Sequence, residues 1–419
     1  MKKSTSGRDG VSVGYYRLFS AGMINGIGDR FSQVAMLSLI LSLTGSGMAV
    51  GLSLGIRLLP SLVLAPLGGY LGGKLPRKAV MMTTDIARVP FALSFLWVTS
   101  GDRLWLLYAA SFVLAAGEAI YAPVRKSSIP LLAERSALMR INGMEQLMTG
   151  CVLILGALTG GFVSHWLGPE TAFVLNACSF LAAAAIISGI SFPSSAPEGR
   201  EEEVRGNESE PGNVSRRKGL ASLVAGSLVL QTVLGYELLV PLVNGLDNVL
   251  ISVYAIRVFY AGDIGVGAFY AALGAGLTLS FWAGGWIKRN FLTAALGGLL
   301  LEGLLLMGIS AAGGFWAACG LYVLLSLASG IGGASLDTLL MRETPAKWQP
   351  VLFGLLTAVT NTLLGLSMLL AGWLLAGTDP RTLGFAGGAC FAAIAIALGA
   401  YVWIRGGRGG EVSVPSRTL

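Results

Sequence analysis

Charged and amide side chains are rare inside the apolar runs of this chain, and several are spaced to act together. Asn25, Asp29 and Gln33 recur every fourth residue, which places them on one face of a helix. Asp29 lies 12 residues past Arg17. At ~1.5 Å of rise per residue this is near the middle of a ~30 Å hydrocarbon layer. Arg57 reaches a similar depth on the next run, which travels the other way, so an Asp29–Arg57 pair is allowed. Arg30 follows Asp29 directly and points elsewhere. Asn244, Asp247 and Asn248, at i, i+3 and i+4, make a second polar face. Asn361 joins these as a candidate binding residue. Such faces can hold a polar solute, or they can hydrogen-bond neighbouring helices. Both readings stand at this point.

Glu118 sits among Ala and Gly. An apolar setting disfavours the charged form of a carboxylate, the property that a proton carrier needs. The competing reading makes it a structural partner of Arg125 or of another helix. Asp29 and Asp247 are further proton candidates, and Glu302 is a weaker one. Asp85 and Arg88 are three apart, where an intrahelical pair is allowed; they read as gating rather than substrate residues. Glu145 and Glu237, near helix ends, read as solvated. His165, the only histidine, lies beside Trp166 at the outer end of a run and reads as interfacial, with pH sensing as the alternative.

Bond-making chemistry finds no footing. There is no phosphate-binding glycine loop with its lysine, no histidine cluster and no nucleophile with a usable histidine. Cys151, Cys178, Cys319 and Cys390 are scattered through apolar stretches without ligand spacing. No catalytic residue, metal or cofactor is expected.

The elements that hold these residues are set by composition. Of 419 residues 54% are hydrophobic and only 12% charged, against ~25% charged in soluble domains. The bilayer must serve as the main solvent. Twelve spans are predicted, roughly at 16–43, 46–72, 79–98, 104–124, 142–166, 169–190, 238–259, 264–287, 291–311, 314–339, 350–376 and 382–404. The 59 glycines then mark small-residue packing faces. No cleavable signal peptide is expected, because the first apolar run is too long and continues into the bundle. Residues 192–218 are rich in Glu, Ser, Pro and Arg and read as a polar cytoplasmic linker. They divide the chain into halves at 1–191 and 219–405, with a tail at 406–419. Residues 219–234 read as a surface lead-in helix or an extension of span seven.

Charge gives orientation. Twenty-three of the 29 Lys and Arg fall in the termini and in the loops on their side, which predicts both ends in the cytoplasm. This distribution also explains the net charge of +7 without nucleic acid. Trp105, Trp166 and Trp403 at span ends suit an aromatic belt. The halves repeat weakly: Gly143 and Gly161, and Gly354 and Gly372, are each 18 apart, and Gly68-Gly69-Tyr70 returns as Gly284-Gly285-Trp286.

The hairpin Gly69-Tyr70-Leu71-Gly72-Gly73-Lys74-Leu75-Pro76-Arg77-Lys78 resembles the loop between helices 2 and 3 of the major facilitator superfamily. Gly28-Asp29, Arg57-Leu58-Leu59-Pro60, Tyr121-Ala122-Pro123, Asn142-Gly143, Asn176-Ala177-Cys178-Ser179-Phe180 and Gly262-Asp263-Ile264-Gly265 extend the likeness. Within the superfamily the chain resembles the third drug:proton antiporter family, which includes macrolide efflux and enterobactin export proteins. The resemblance implies an all-α fold of two pseudo-symmetric six-helix bundles working by alternating access. It implies export of an amphipathic or hydrophobic small molecule against protons, at the cell membrane, by a monomer. A lysolipid flippase, an importer, or a non-transporting sensor or scaffold are the alternatives. Gating falls to Gly69, Gly73, Lys74, Arg77, Lys78, Asp85 and Arg88, with Gly156, Gly160 and Gly161 in span five. Two positions depart from the family. Gly73 stands where relatives carry an acid that latches the halves together. Ala157 stands where antiporters carry the proline of Gly-Pro-x-x-Gly-Gly. The latch is therefore expected to rest on Lys74, Arg77, Lys78, Asp85 or helix-end dipoles.

Overall fold

Small residues set how closely the helices of this protein approach. The computed structural model describes residues 10–44, 47–192 and 220–408. The first half contains α1 (Val13–Thr44), α2 (Gly47–Lys74), α3 (Arg77–Ser94), α4 (Leu104–Ser128), α5 (Leu138–Leu167) and α6 (Pro169–Ser188). The second contains α7 (Leu220–Gly226), α8 (Leu228–Leu239), α9 (Pro241–Val253), α10 (Gly262–Gly284), α11 (Phe291–Ala311), α12 (Phe315–Glu343), α13 (Gln349–Leu374) and α14 (Pro380–Arg408). Among the described residues the fold is all-helical apart from an isolated bridge between Val11 and Ala133. Among the described residues ten stretches are long and apolar enough to cross a membrane. α1 and α5, at 32 and 30 residues, have the length to do so as well. The protein is a multi-pass membrane protein.

Span seven differs from its expected bounds. It begins at Leu228, and an apolar stretch of 31 residues runs from there to Val258. The Ser227 hydroxyl caps α8 by accepting from the Leu230 N–H at 3.3 Å. Val233 is fully buried, and the Tyr401 hydroxyl of α14 donates to Gln231. Residues 228–239 thus belong to the bundle and are not a surface lead-in. Pro241 opens α9, because it has no N–H to continue α8. The last helix runs to Arg408, past the expected start of the tail. Residues 193–219 and 409–419, the bulk of the expected linker and tail, lie outside the described residues.

One apolar core runs through both halves, from Tyr15 and Tyr121 to Tyr254 and Phe353, and a second, around Phe95 and Phe173, lies within the first half. In the first half, α1 rests on α5 and α6, α2 on α4, and α3 on α4 and α6. In the second half, α11 rests on α12 and α14, α10 on α12, and α9 on α13. The halves meet along α2–α13 and α5–α10. Those are spans two with eleven and five with eight, which exchange when one half is superposed in thought on the other. Side-chain-free surfaces make both contacts. A methyl group on Gly69 would run into the Pro350 carbonyl, and one on Gly354 into that of Ala65. A methyl on Gly150 would sit 2.5 Å from the Gly274 carbonyl.

These contacts run from mid-depth to the end that carries the basic loops, called here the basic end. There the halves are tied further. Arg135 and Arg342 each donate to the other's backbone carbonyl, at 3.4 and 2.8 Å. The Asn142 amide donates to Thr338 at 3.0 Å. At the helix ends Trp105, Trp166 and Trp403 are largely exposed, as are Trp97, Trp286, Trp316 and Trp373. Amphipathic rings pointing outward at both ends suit the two interfaces of a bilayer.

Candidate functional site

Arg88 is the centre of the first half's polar interior. It lies on α3 with its side chain 1% exposed, and three helices bring carboxylates to it. Asp29 of α1 is 2.7 Å away, Glu118 of α4 is 3.2 Å away and Asp85 of its own helix is 3.7 Å away. The fourth wall is α6, where the guanidinium stacks 4.1 Å over the Phe180 ring and Asn176 reaches Asp29 at 3.5 Å. Two glycines make the room. A methyl on Gly117 would lie 2.6 Å from the Arg88 stem, and one on Gly28 would overlap Ser179 of α6. Here the backbone stands aside for a buried cation.

Within ion-pair distance one guanidinium meets three carboxylates, while Arg57 and Arg125 act on Asp29 or Glu118 from further off. Arginine does not give up its proton in proteins, so any change in protonation falls on the acids. They differ in access. Asp85 is fully buried, accepts from the Asn25 amide at 3.0 Å, and leaves its other oxygen without a partner among the described residues. Asp29 is 20% exposed and Glu118 48% exposed. Both line a cavity of about 190 Å³ with Asn25, Arg30, Tyr121 and Arg125. Two cavity-facing carboxylates and one dry one share a fixed positive charge.

Of the expected substrate and proton residues, Asn25, Asp29 and Glu118 line this cavity, and several have partners other than those expected. Asp29 pairs with Arg88, not with Arg57, because α3 packs deep behind α1 through α6 while Arg57 sits half-buried on α2. Gln33 accepts from Arg30 at 2.9 Å within α1. Glu118 has Arg88 as its partner. Arg125 pairs with Glu145 at 2.6 Å, and the Tyr15 hydroxyl donates to the same carboxylate at 3.0 Å. Glu145 is therefore an internal brace between α1, α4 and α5, not a solvated end group.

In the second half the expected stripe splits. Asn244 and Asn361 line a separate cavity of about 280 Å³ with Lys126, Glu237, Asp337 and Thr360. The Asn248 amide turns back to the Asn244 carbonyl at 3.0 Å. Asp247 is buried and faces away from that cavity, into the bundle, with one oxygen lacking a partner among the described residues. Glu302 is buried too, and Ser329 hydrogen-bonds it.

The hairpin residues stay within their own half. Arg77 donates to the carbonyls of Gly72 and Ser127, Lys78 to that of Ser188, and Lys74 to the Tyr70 hydroxyl. Asp85 is buried with Arg88. Among the described residues none of these side chains is hydrogen-bonded or ion-paired to the other half. Gly69 does reach across, as a backbone seat for Pro350 at the start of α13. Gly73 has open space where a side chain would be. Gly156 packs on Arg30 of α1, inside the first half. Gly160, Gly161 and His165 lie in α5 beyond the residues whose surroundings are described.

The ionic bridge between halves is one that sequence reading missed. Lys126 of α4 meets Asp337 of α12 at 2.6 Å. The signal was present: Asp337 is the sole acid in its apolar run before Glu343 at the helix end.

Comparison with known proteins places this architecture. Residues 18–367 match the family model described as Major Facilitator Superfamily. An uncharacterized MFS-type transporter, YfiS of Bacillus subtilis, is 25% identical over 175 residues, covering 42% of this chain and 41% of the relative. The lysophospholipid transporter LplT of Photorhabdus laumondii is 24% identical over 138 residues, 33% of this chain and 32% of that protein. The matches thus span less than half the length of these relatives. Two solved structures share the fold over nearly their whole length. The transporter FucP in its outward conformation gives a TM-score of 0.71 at 14% identity, covering 93% of this chain and 98% of that one. A bacterial homologue of the iron transporter ferroportin, in an outward-facing state, gives 0.72 at 15% identity, covering 93% and 99%. With its family model matched across both halves, the chain belongs to the Major Facilitator Superfamily.

Proposed function

We propose that this protein exports an amphipathic or hydrophobic small molecule in exchange for protons, by alternating access. The observation that carries the reading is the Arg88 cluster. Three carboxylates around one permanent cation leave a place for a proton, and Glu118 opens that place to the cavity at 48% exposure. A proton arriving at Glu118 or Asp29 frees Arg88 to tighten on the other acids. The cluster thereby links α1, α3, α4 and α6 to the state of the cavity. In this reading Asn25 and Arg30, which line the same space, contact the substrate. Asn244 and Asn361 serve the cavity of the other half. The basic end is read as cytoplasmic from the distribution of Lys and Arg. Closure there corresponds to the outward-facing form. One chain holds both halves of the path, so the reading needs no second copy.

The lysolipid reading has its own support, the likeness to LplT over a third of the chain. Reconstitution separates the two. Purified protein in liposomes is offered a dye-like amphipathic drug and a fluorescent lysophospholipid, with and without a proton gradient. Gradient-driven drug accumulation supports antiport export. Lysolipid movement without drug accumulation favours the flippase. Movement of neither sinks transport and leaves a sensor or scaffold.

A further inference from the structure

The second-half cavity holds a charge arrangement that the Arg88 cluster does not account for. Its wall carries two carboxylates, Glu237 of α8 and Asp337 of α12, and its one cation is Lys126. Asn244, Thr360 and Asn361 supply neutral polar groups. Lys126 alone comes from the other half. It crosses the interface to sit 2.6 Å from Asp337, with its ammonium 5.2 Å from the Phe353 ring. Both members are partly shielded, at 39% and 15% exposure.

Alternating access moves the halves apart at this end. Lys126 then leaves with α4, and Glu237 and Asp337 remain behind in a pocket walled by Val240, Leu336 and Leu364. Two carboxylates with apolar neighbours and no cation of their own are costly. A positive charge from the solution relieves that cost. The cavity, at about 280 Å³, sits at the small end of the ~300–1,000 Å³ range of ligand pockets. It suits a headgroup whose tail lies outside.

We infer that this pocket takes the cationic head of an amphipathic amine or quaternary ammonium compound, and that this cation and Lys126 compete for Asp337. The inference rests on the transport reading and names its substrate class. The cation loads while the basic end is open. Closure returns Lys126 to Asp337 and releases the cation on the other side. Lys126 acts as a tethered counter-cation, and it takes the latch role that Gly73 cannot fill.

The test uses full-length protein in nanodiscs, titrated by calorimetry with decyltrimethylammonium and with decylphosphate. The two probes share a tail and differ in head charge. Wild type binds the cation in preference to the anion. Asp337→Asn weakens cation binding by about tenfold, the loss of one charge-assisted contact. Lys126→Gln strengthens it by about tenfold, because the competitor is gone. Asp337→Glu stays near wild type, which separates charge from folding. Equal cation affinity in Asp337→Asn, weaker binding in Lys126→Gln, or preference for decylphosphate overturns the inference. Gradient-driven flux of a neutral amphipath that is indifferent to Asp337 overturns it too and leaves the transport reading intact. The expected binding pattern without any flux does the reverse.

Discussion

At the scale of single residues, Arg88 and Glu118 should respond differently to substitution although they touch. Arg88 is 1% exposed and compensates three acids. Arg88→Leu strands buried carboxylates, and breaking a buried pair costs on the order of 3–5 kcal/mol. A clear fall in melting temperature in detergent is expected; an unchanged melting temperature contradicts the buried geometry. Glu118 faces the cavity, and a pair this open adds roughly 0–1 kcal/mol. Glu118→Gln should therefore fold normally yet lose transport driven by a proton gradient, read in the same preparation. In-span charges at Asp29, Asp85, Arg88 and Glu118 were legible because ionisable groups stand out against an apolar background. Their partners were not. Sequence spacing fixes which face a side chain occupies, but not which helix lies opposite. Asp29 was thus matched to Arg57 on depth alone, whereas α6 brings α1 and α3 together around Arg88. Glu145 was misread because proximity to a helix end was taken to mean solvent, and Asp337 was not singled out at all.

Among elements, the seam between α2 and α13 is the place to bias the conformational equilibrium. Gly69 lies against the Pro350 carbonyl, so Gly69→Val must push the two helices apart. It should favour the form open at the basic end. Gly73 has free space beside it and lies one turn along from the α13 N-terminus. Gly73→Asp places a negative charge near that positive helix end, a contact of about 0.3–1 kcal/mol, and should favour closure. Cysteine labelling from each side of the membrane measures both shifts, and shifts of the same sign refute the seam's role. Helix lengths and most span positions were readable from hydropathy and loop charge. Span seven, drawn at 238–259, was ten residues short, and the alternative reading of residues 219–234 as its extension holds from Leu228 onward. Nothing before Leu228 marks where the membrane begins except Ser227, whose capping role depends on the helix being there.

For the molecule as a whole, the fold was the most legible part. An apolar chain with basic loops on one side has few ways to satisfy its backbone in a bilayer, and the hairpin at 69–78 narrowed those to one superfamily. The basis of closure was the least legible. It depends on the register of two halves that share no continuous helix, which meet at a backbone seat at Gly69 and at the Lys126–Asp337 bridge. The central claim is that proton entry through the Arg88 cluster drives an amphipathic molecule outward. Its most direct test is accumulation of a fluorescent amphipathic cation in inverted membrane vesicles with an acidified lumen. The account predicts uptake that collapses with the gradient and is absent in Glu118→Gln. Uptake that persists at full rate without a gradient, or in Glu118→Gln with one, would contradict it.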